Sequence, residues 1–123
     1  MKMLLILVSV VAFATSAFAD IPIELHDLIQ LYGKSVNQNG PVDGWTYVFT
    51  QDDLTIRVRT DFPSGISAIE YQRQSAFSEL EIADILKPLS AEEKWKQVDG
   101  KNWILPEAKV KAHWDGEGKI TVR

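Results

Sequence analysis

The strongest constraint on this chain's fold is an alternation of period two that begins at Trp45. Trp45, Tyr47 and Phe49 fall on one side, and Thr46, Val48 and Thr50 on the other. Gln51-Asp52-Asp53 turns the chain, and Leu54, Ile56 and Val58 then share a face opposite Thr55, Arg57 and Arg59. Successive side chains of a strand point to opposite faces, so this pattern commits the segment to a sheet buried on one side only. Pro63-Ser64-Gly65 turns the chain again into 66–73, which predicts a three-stranded antiparallel meander. The pattern returns near the end of the chain. Segments 95–98 and 101–105 flank Asp99-Gly100, a two-residue hairpin signal. Ala108, Val110, Ala112 and Trp114 alternate with Lys109, Lys111 and His113. Asp115-Gly116-Glu117-Gly118 turns into a last strand with Ile120 and Val122 inward.

Two segments have the period of a helix instead. Leu25, Leu28, Ile29 and Tyr32 form an i, i+3, i+4, i+7 stripe, with Pro22 before it and Gly33 after it, predicting a helix over 22–32. Ser78-Glu79-Leu80-Glu81 fits a capping box, and Phe77 and Ile82 occupy the positions of a hydrophobic staple. A second helix is therefore expected from 79, with Ile82, Ile85 and Leu86 buried and Pro88 ending it. Ser90-Ala91-Glu92-Glu93 repeats the capping signature and reads as the start of a further short turn. Lys34 to Gly44 reads as a polar loop. The order helix, three strands, helix, three or four strands gives an α+β domain with two helices packed on one face of an antiparallel meander sheet. The stretches 47–59 and 112–123 share a design: aromatic strand, acidic turn, basic-faced strand. A duplicated α-β unit accounts for that likeness; so does the general similarity of antiparallel hairpins.

Residues 1–19 do not belong to this domain. Lys2 supplies a positive start, 3–13 an apolar run, and Ala17-Phe18-Ala19 a small-x-small cleavage site, the order of a secretory signal peptide. The apolar run is shorter than the ~20 residues that span a bilayer. Cleavage after Ala19 is expected, giving a periplasmic or secreted domain over 20–123 with no transmembrane span. That domain has 12 basic and 17 acidic residues and no cysteine. A lipid-anchored junction, disulfides, thiolate metal sites and a thiol nucleophile are thereby excluded. A net charge of −4 for the whole chain argues against a nucleic-acid partner.

The helix ending in Tyr32-Gly33, followed by strands such as Tyr47-Val48-Phe49 and Leu54-Thr55-Ile56, resembles small exported bacterial domains of the SmpA/OmlA type. These are outer-membrane assembly lipoproteins, and β-lactamase inhibitory proteins are similar in architecture. The resemblance covers 25–73, with a fainter echo over 80–123. It implies a non-catalytic envelope module and assigns no functional residue. Two departures are the missing lipidation cysteine and Ser35, which stands where the usual glycine-x-proline turn has proline.

Catalysis needs convergent groups with tuned pKa values, and the sequence offers few. His26 and Asp27 are helical neighbours that do not face each other. Asp52-Asp53 reads as a turn former rather than a carboxylate pair. No phosphate loop, dinucleotide fingerprint or nucleophile elbow occurs. The enzymatic alternative is a small hydrolase or metal-dependent enzyme centred on His113, Asp115 and Glu117. No catalytic residue, metal or cofactor is assigned in the leading reading. Trp45 and Trp114 are expected in the core. Trp95 and Trp103, beside the Asp99-Gly100 hairpin, are the candidates for exposed aromatics that meet a partner.

Charge carries the leading expectation. The helices and caps hold Glu24, Asp27, Glu79, Glu81, Asp84, Glu92 and Glu93, whereas outward strand positions hold Arg57, Arg59, Lys109, Lys111, His113, Lys119 and Arg123. An acidic protein with a basic sheet face would steer an acidic protein loop or an anionic envelope component to that face. Exposed strands also carry Lys and Arg simply to discourage edge-to-edge association. Glu107 and Asp53, at matching parity, would dilute such a patch.

Overall fold

A computed structural model describes residues 20–34, 45–60 and 65–123. Residues 1–19, 35–44 and 61–64, on which the expected signal peptide, most of the expected polar loop and the expected turn at Pro63-Ser64 fall, lie outside the described residues. Among those described, the chain forms two α-helices and one seven-stranded antiparallel sheet. Helix α1 spans Leu25–Tyr32 and the meander β1 Tyr47–Gln51, β2 Leu54–Thr60 and β3 Ile66–Gln72. Helix α2 spans Glu79–Leu86 and runs into a 3-10 turn at Lys87–Leu89. Strands β4 Lys96–Asp99, β5 Asn102–Leu105, β6 Val110–Trp114 and β7 Lys119–Val122 complete the fold.

Helix α1 starts later than its periodicity predicts, because Ile21 bridges to β3 and the chain must bend before it can turn into the helix. The Ile21 N–H donates to the Ile66 carbonyl at 2.8 Å, and the Ile23 N–H turns back to the Ile21 carbonyl at 2.7 Å. Gly33 ends the helix at φ +89°, its N–H bonded to the Ile29 carbonyl at 2.8 Å. Leu28 is fully buried, while Ile29 of the predicted stripe is 42% exposed. In α2 both halves of the capping box are made: Ser78 Oγ accepts from the Glu81 N–H, and the Glu81 carboxylate accepts from the Ser78 N–H at 2.9 Å.

The second capping signature starts the expected short turn, with the Glu93 N–H on the Ser90 carbonyl at 3.0 Å. Its serine side chain faces the other way: Ser90 Oγ donates to the Lys87 carbonyl at 2.9 Å and closes the 3-10 turn. The Glu93 carboxylate accepts from the backbone N–H groups of Glu107 and Ala108, tying this turn to the β5–β6 connection. The hairpin at Asp99-Gly100 is also shifted by one residue. Asp99 pairs with Asn102, leaving Gly100-Lys101 as the turn. Its carboxylate accepts from the Lys101 N–H at 2.8 Å and from the Asn102 amide.

The strand order is β1-β2-β3-β7-β6-β5-β4, two meanders that meet at their last strands. The hairpins likened in the sequence take different places. β1–β2 forms one edge, whereas β6–β7 brings its second strand to the centre beside β3.

Register sorts the sheet into two faces. Tyr47, Val58, Ile69, Val122, Ala112 and Trp103 lie in one row, and Phe49, Ile56, Tyr71, Ile120 and Trp114 in the next. These rows belong to the core cluster or pack against it, together with Leu28, Phe77, Ile82, Leu86 and Leu89. At the bulge after Arg59, Ser67 has no partner, which turns Ile66 to the same side as Thr60 and buries it beside Ile21. The hydroxyl of fully buried Tyr71 meets the Tyr32 hydroxyl at 2.9 Å. Burial pushes the Tyr71 hydroxyl well above its ordinary pKa, so the pair stays neutral.

Candidate basic sheet face

The intervening positions of the same strands build the other face. One row holds Val48, Arg57, Glu70, Thr121, His113 and Asn102. A second pairs Arg59 with Ala68 on one side of the sheet and Lys111 with Ile104 and Lys96 on the other. Arg123 closes this row: it exchanges two backbone hydrogen bonds with Lys111, at 2.8 and 2.9 Å. Lys119 stands opposite Gln72 in a third row. Six of the seven residues predicted for a basic face, namely Arg57, Arg59, Lys111, His113, Lys119 and Arg123, therefore occupy outward positions of one continuous sheet. Lys109 does not. It sits in the β5–β6 turn at φ +59°, where the backbone has left the strand and alternation no longer decides direction.

These cations fall into two sets. Glu70, with a side chain only 11% exposed, accepts from Arg57 at 2.8 Å and from Lys119 at 3.1 Å. The same Arg57 nitrogen donates to Gln72 at 2.8 Å. Arg57 and Lys119 thus share one carboxylate, which offsets one of their two charges. Arg59 lies over the Trp45 ring, its guanidinium carbon 4.8 Å from the ring centroid. Lys111 and Arg123 stand side by side and make no ion pair among the described residues. A groove of about 470 Å³ runs over members of both sets, its lining including Arg59, Lys111 and Arg123 together with Glu70 and Lys119.

Hydrogen bonds fix the state of the histidine that borders the groove. The Asn102 amide nitrogen donates to the Asp99 carboxylate at 2.9 Å, so its oxygen must accept from His113 Nδ1 at 2.8 Å. His113 therefore carries a proton on Nδ1. Asp99 in turn is held below the ordinary carboxylate range, chiefly by the Lys101 N–H and then by Asn102.

Several sequence expectations are corrected here. Trp103 is 8% exposed and belongs to the core, and Trp95 is half-buried with its indole N–H on the Leu86 carbonyl at 2.7 Å. Neither is the exposed aromatic. Trp45, expected in the core, instead stacks on Arg59 and lines the groove, where Trp103 also contributes to the lining. Trp114 does pack against the core, with its indole N–H on the Glu117 carbonyl at 2.8 Å. The acid on the basic face is Glu70 rather than Glu107, which sits in the β5–β6 turn. Asp53 borders a separate hollow with Thr55, Arg57 and Gln72. A glutamate inside the apolar run Ala68-Ile69-Glu70-Tyr71 was the available signal, since a lone acid among buried neighbours calls for a cationic partner.

The reading centred on His113, Asp115 and Glu117 gains no support from the geometry. Asp115 Oδ1 accepts from the backbone N–H groups of Glu117 at 2.7 Å and Lys119 at 3.2 Å, which shapes the β6–β7 turn. Among the described residues no three His, Asp or Glu side chains gather as a metal site would require. No described helix is long and apolar enough to cross a membrane. Compared with protein-family models, curated proteins and solved structures, the chain finds no match.

Proposed function

We propose that this chain is an exported, non-catalytic binding module that engages an anionic partner on the basic face of its sheet. The observation that carries this reading is that Arg57, Arg59, Lys111, Lys119 and Arg123 share the outward face of one sheet, with Glu70 taking up Arg57 and Lys119, in a chain whose net charge is −4. In this reading residues 1–19 are a cleaved leader, both helices cover the opposite face, and the architecture is of the SmpA/OmlA kind. The two meanders meeting at β3 and β7 are then the halves of a duplicated α-β unit.

The energetics fit an encounter governed by charge. An exposed ion pair contributes ~0.2–1 kcal/mol. Three or four such contacts supply about 1–4 kcal/mol, roughly five- to a thousandfold in Kd. Screening over a Debye length of about 8 Å at physiological ionic strength makes that contribution strongly salt-dependent. Lys111 and Arg123 are the right pair to reverse, because reversing Arg57 would set a second carboxylate beside buried Glu70. Binding of envelope extract to the immobilised protein is expected at low salt. It should be lost at high salt and lost in the Lys111→Glu/Arg123→Glu variant. Capture that survives both high salt and the double reversal would contradict the proposed role of this face.

A further inference from the structure

Strand pairing gathers basic side chains around one hydroxyl. Lys111 and Arg123 exchange backbone hydrogen bonds, which makes them a hydrogen-bonded pair of the β6–β7 hairpin, about 5.5 Å apart at Cα. His113 and Thr121 are paired two residues further along the same hairpin, and Glu70 lies across Thr121 on β3. On β7 itself Lys119 and Arg123 flank Thr121, about 6.8 Å away on either side. All of these residues line one groove. Lysine and arginine side chains rise well above a threonine, so Thr121 forms the low floor of a basin with longer, basic walls. Among the described residues its hydroxyl makes no hydrogen bond, and Lys111 and Arg123 make no ion pair.

A compact anion of high charge fits that arrangement. A phosphate monoester presents three oxygens on one centre and nearly two charges at neutral pH. Lys111 and Arg123 supply two positive charges, and the Thr121 hydroxyl is a neutral donor below them, one group for each oxygen. The Nδ1 proton of His113 is committed to Asn102, which leaves Nε2 as the ring nitrogen for a ligand. Protonated, Nε2 donates to the phosphate; neutral, it accepts the proton of a singly ionised ester. Glu70 bounds the site on the other side. Its oxygens are engaged by Arg57 and Lys119, yet its charge still repels an anion and pushes it toward β6. A phosphodiester has one charge and two unesterified oxygens, so it fills fewer of these donors. An extended acidic segment spaces its carboxylates ~6.8 Å apart on one side and cannot bring two of them over one threonine.

We infer, resting on the proposed anion-binding face, that the β6–β7 hairpin binds a phosphate monoester over Thr121, held by Lys111, Arg123 and His113. The test titrates the purified protein at low salt with glycerol phosphate, dimethyl phosphate, oligoglutamate and vesicles containing phosphatidic acid, which carries the monoester on a lipid. Glycerol phosphate is expected to bind roughly tenfold more tightly than dimethyl phosphate, the worth of one or two further exposed charged contacts. Thr121→Val should weaken it roughly fivefold and leave the salt dependence unchanged, because a donor is lost and no charge. Lys111→Gln should lower both the affinity and the salt dependence. Glu70→Gln should tighten binding roughly two- to fivefold, because a repelling charge is removed. Melting temperatures confirm that each variant is folded. In the unmodified protein the backbone amides of Thr121 and His113 should shift most on addition of glycerol phosphate, a readout that needs no variant. Vesicle binding that depends on Thr121, without binding of glycerol phosphate, would support the site and place the monoester on a lipid. Equal affinity for monoester and diester, or amide shifts centred away from the β6–β7 hairpin, would overturn the inference. So would tighter binding of oligoglutamate than of the monoester, although the anionic face would then stand. Failure of every probe to bind at low salt would remove both.

Discussion

Alanine at Gly118 tests how closely the two meanders are joined. A Cβ there would overlap the Arg73 carbonyl oxygen outright, and would lie 3.0 Å from the Ser75 carbonyl oxygen and 3.1 Å from the Arg73 carbonyl carbon. All three are backbone atoms, which cannot swing aside as a side chain would. The Arg73 N–H donates to the Gly118 carbonyl at 2.9 Å, and the Phe77 N–H donates to the Glu117 carbonyl at 2.9 Å. Relieving the overlap therefore means breaking the bond that joins β3 to the start of β7. A lost backbone hydrogen bond costs about 1 kcal/mol, and overpacking typically ~1–3 kcal/mol. The expected destabilisation is about 2–4 kcal/mol, or roughly 10–25 °C in Tm for a domain near 100 residues. Gly100→Ala is the control. Its Cβ would meet nothing within 4 Å, and Gly100 has no positive φ, so its stability should move by less than ~0.5 kcal/mol. Thermal unfolding followed by circular dichroism reads both variants. Melting of Gly118→Ala within a few degrees of the parent, alongside Gly100→Ala, would refute the close approach at this junction.

Three further outcomes follow from other parts of the fold. Ser78→Ala removes the acceptor for the Glu81 N–H and should cost about 1 kcal/mol in a denaturant titration. Hydrogen bonds from Arg73 first, and from the Ser78 N–H next, lower the Glu81 carboxyl to about 2 from its ordinary 4.5. Because the folded value is the lower one, the stability it contributes is complete above pH ~4.5 and lost as pH falls toward about 2. Glu81→Gln should flatten that part of the acid unfolding profile, and an unchanged profile would count against the assignment. Expressed with residues 1–19 in a bacterial host, the protein should be recovered outside the cytoplasm with an intact mass beginning at Asp20. An unprocessed chain in the cytoplasm would contradict export.

The sequence showed most where the physics is local. The period-two runs gave the meander and the outward positions of Arg57, Arg59, Lys111 and His113, because alternation depends only on the strand itself. The capping box at Ser78 was equally legible, since its hydrogen bonds close within four residues. What stayed hidden depends on partners distant in the chain. β7 sits beside β3 rather than at an edge, and that placement brings Lys119 to Glu70 and Arg123 within reach of the same row as Arg59. Trp103 and Trp45 exchanged their expected places because parity alone does not say where a core ends. Trp103 lies in a row continued by Ala112 and Val122. Trp45 precedes β1 at the sheet's edge and stacks on Arg59. Lys109 was read as strand because its neighbours alternate, yet a left-handed turn intervenes. Glu93 was read as half of a capping box, yet its carboxylate serves backbone N–H groups of the β5–β6 turn.

The basic sheet face is tested most directly by backbone-amide NMR of the protein titrated with a short oligoglutamate at low salt. Shifts should concentrate on Ala68, Ile104, Lys111 and Thr121, leave Leu28 and Ile82 of the helices unmoved, and disappear as salt is raised. Shifts centred on the exposed helical residues Ile29, Leu31 and Leu80, or none at saturating oligoglutamate, would contradict it.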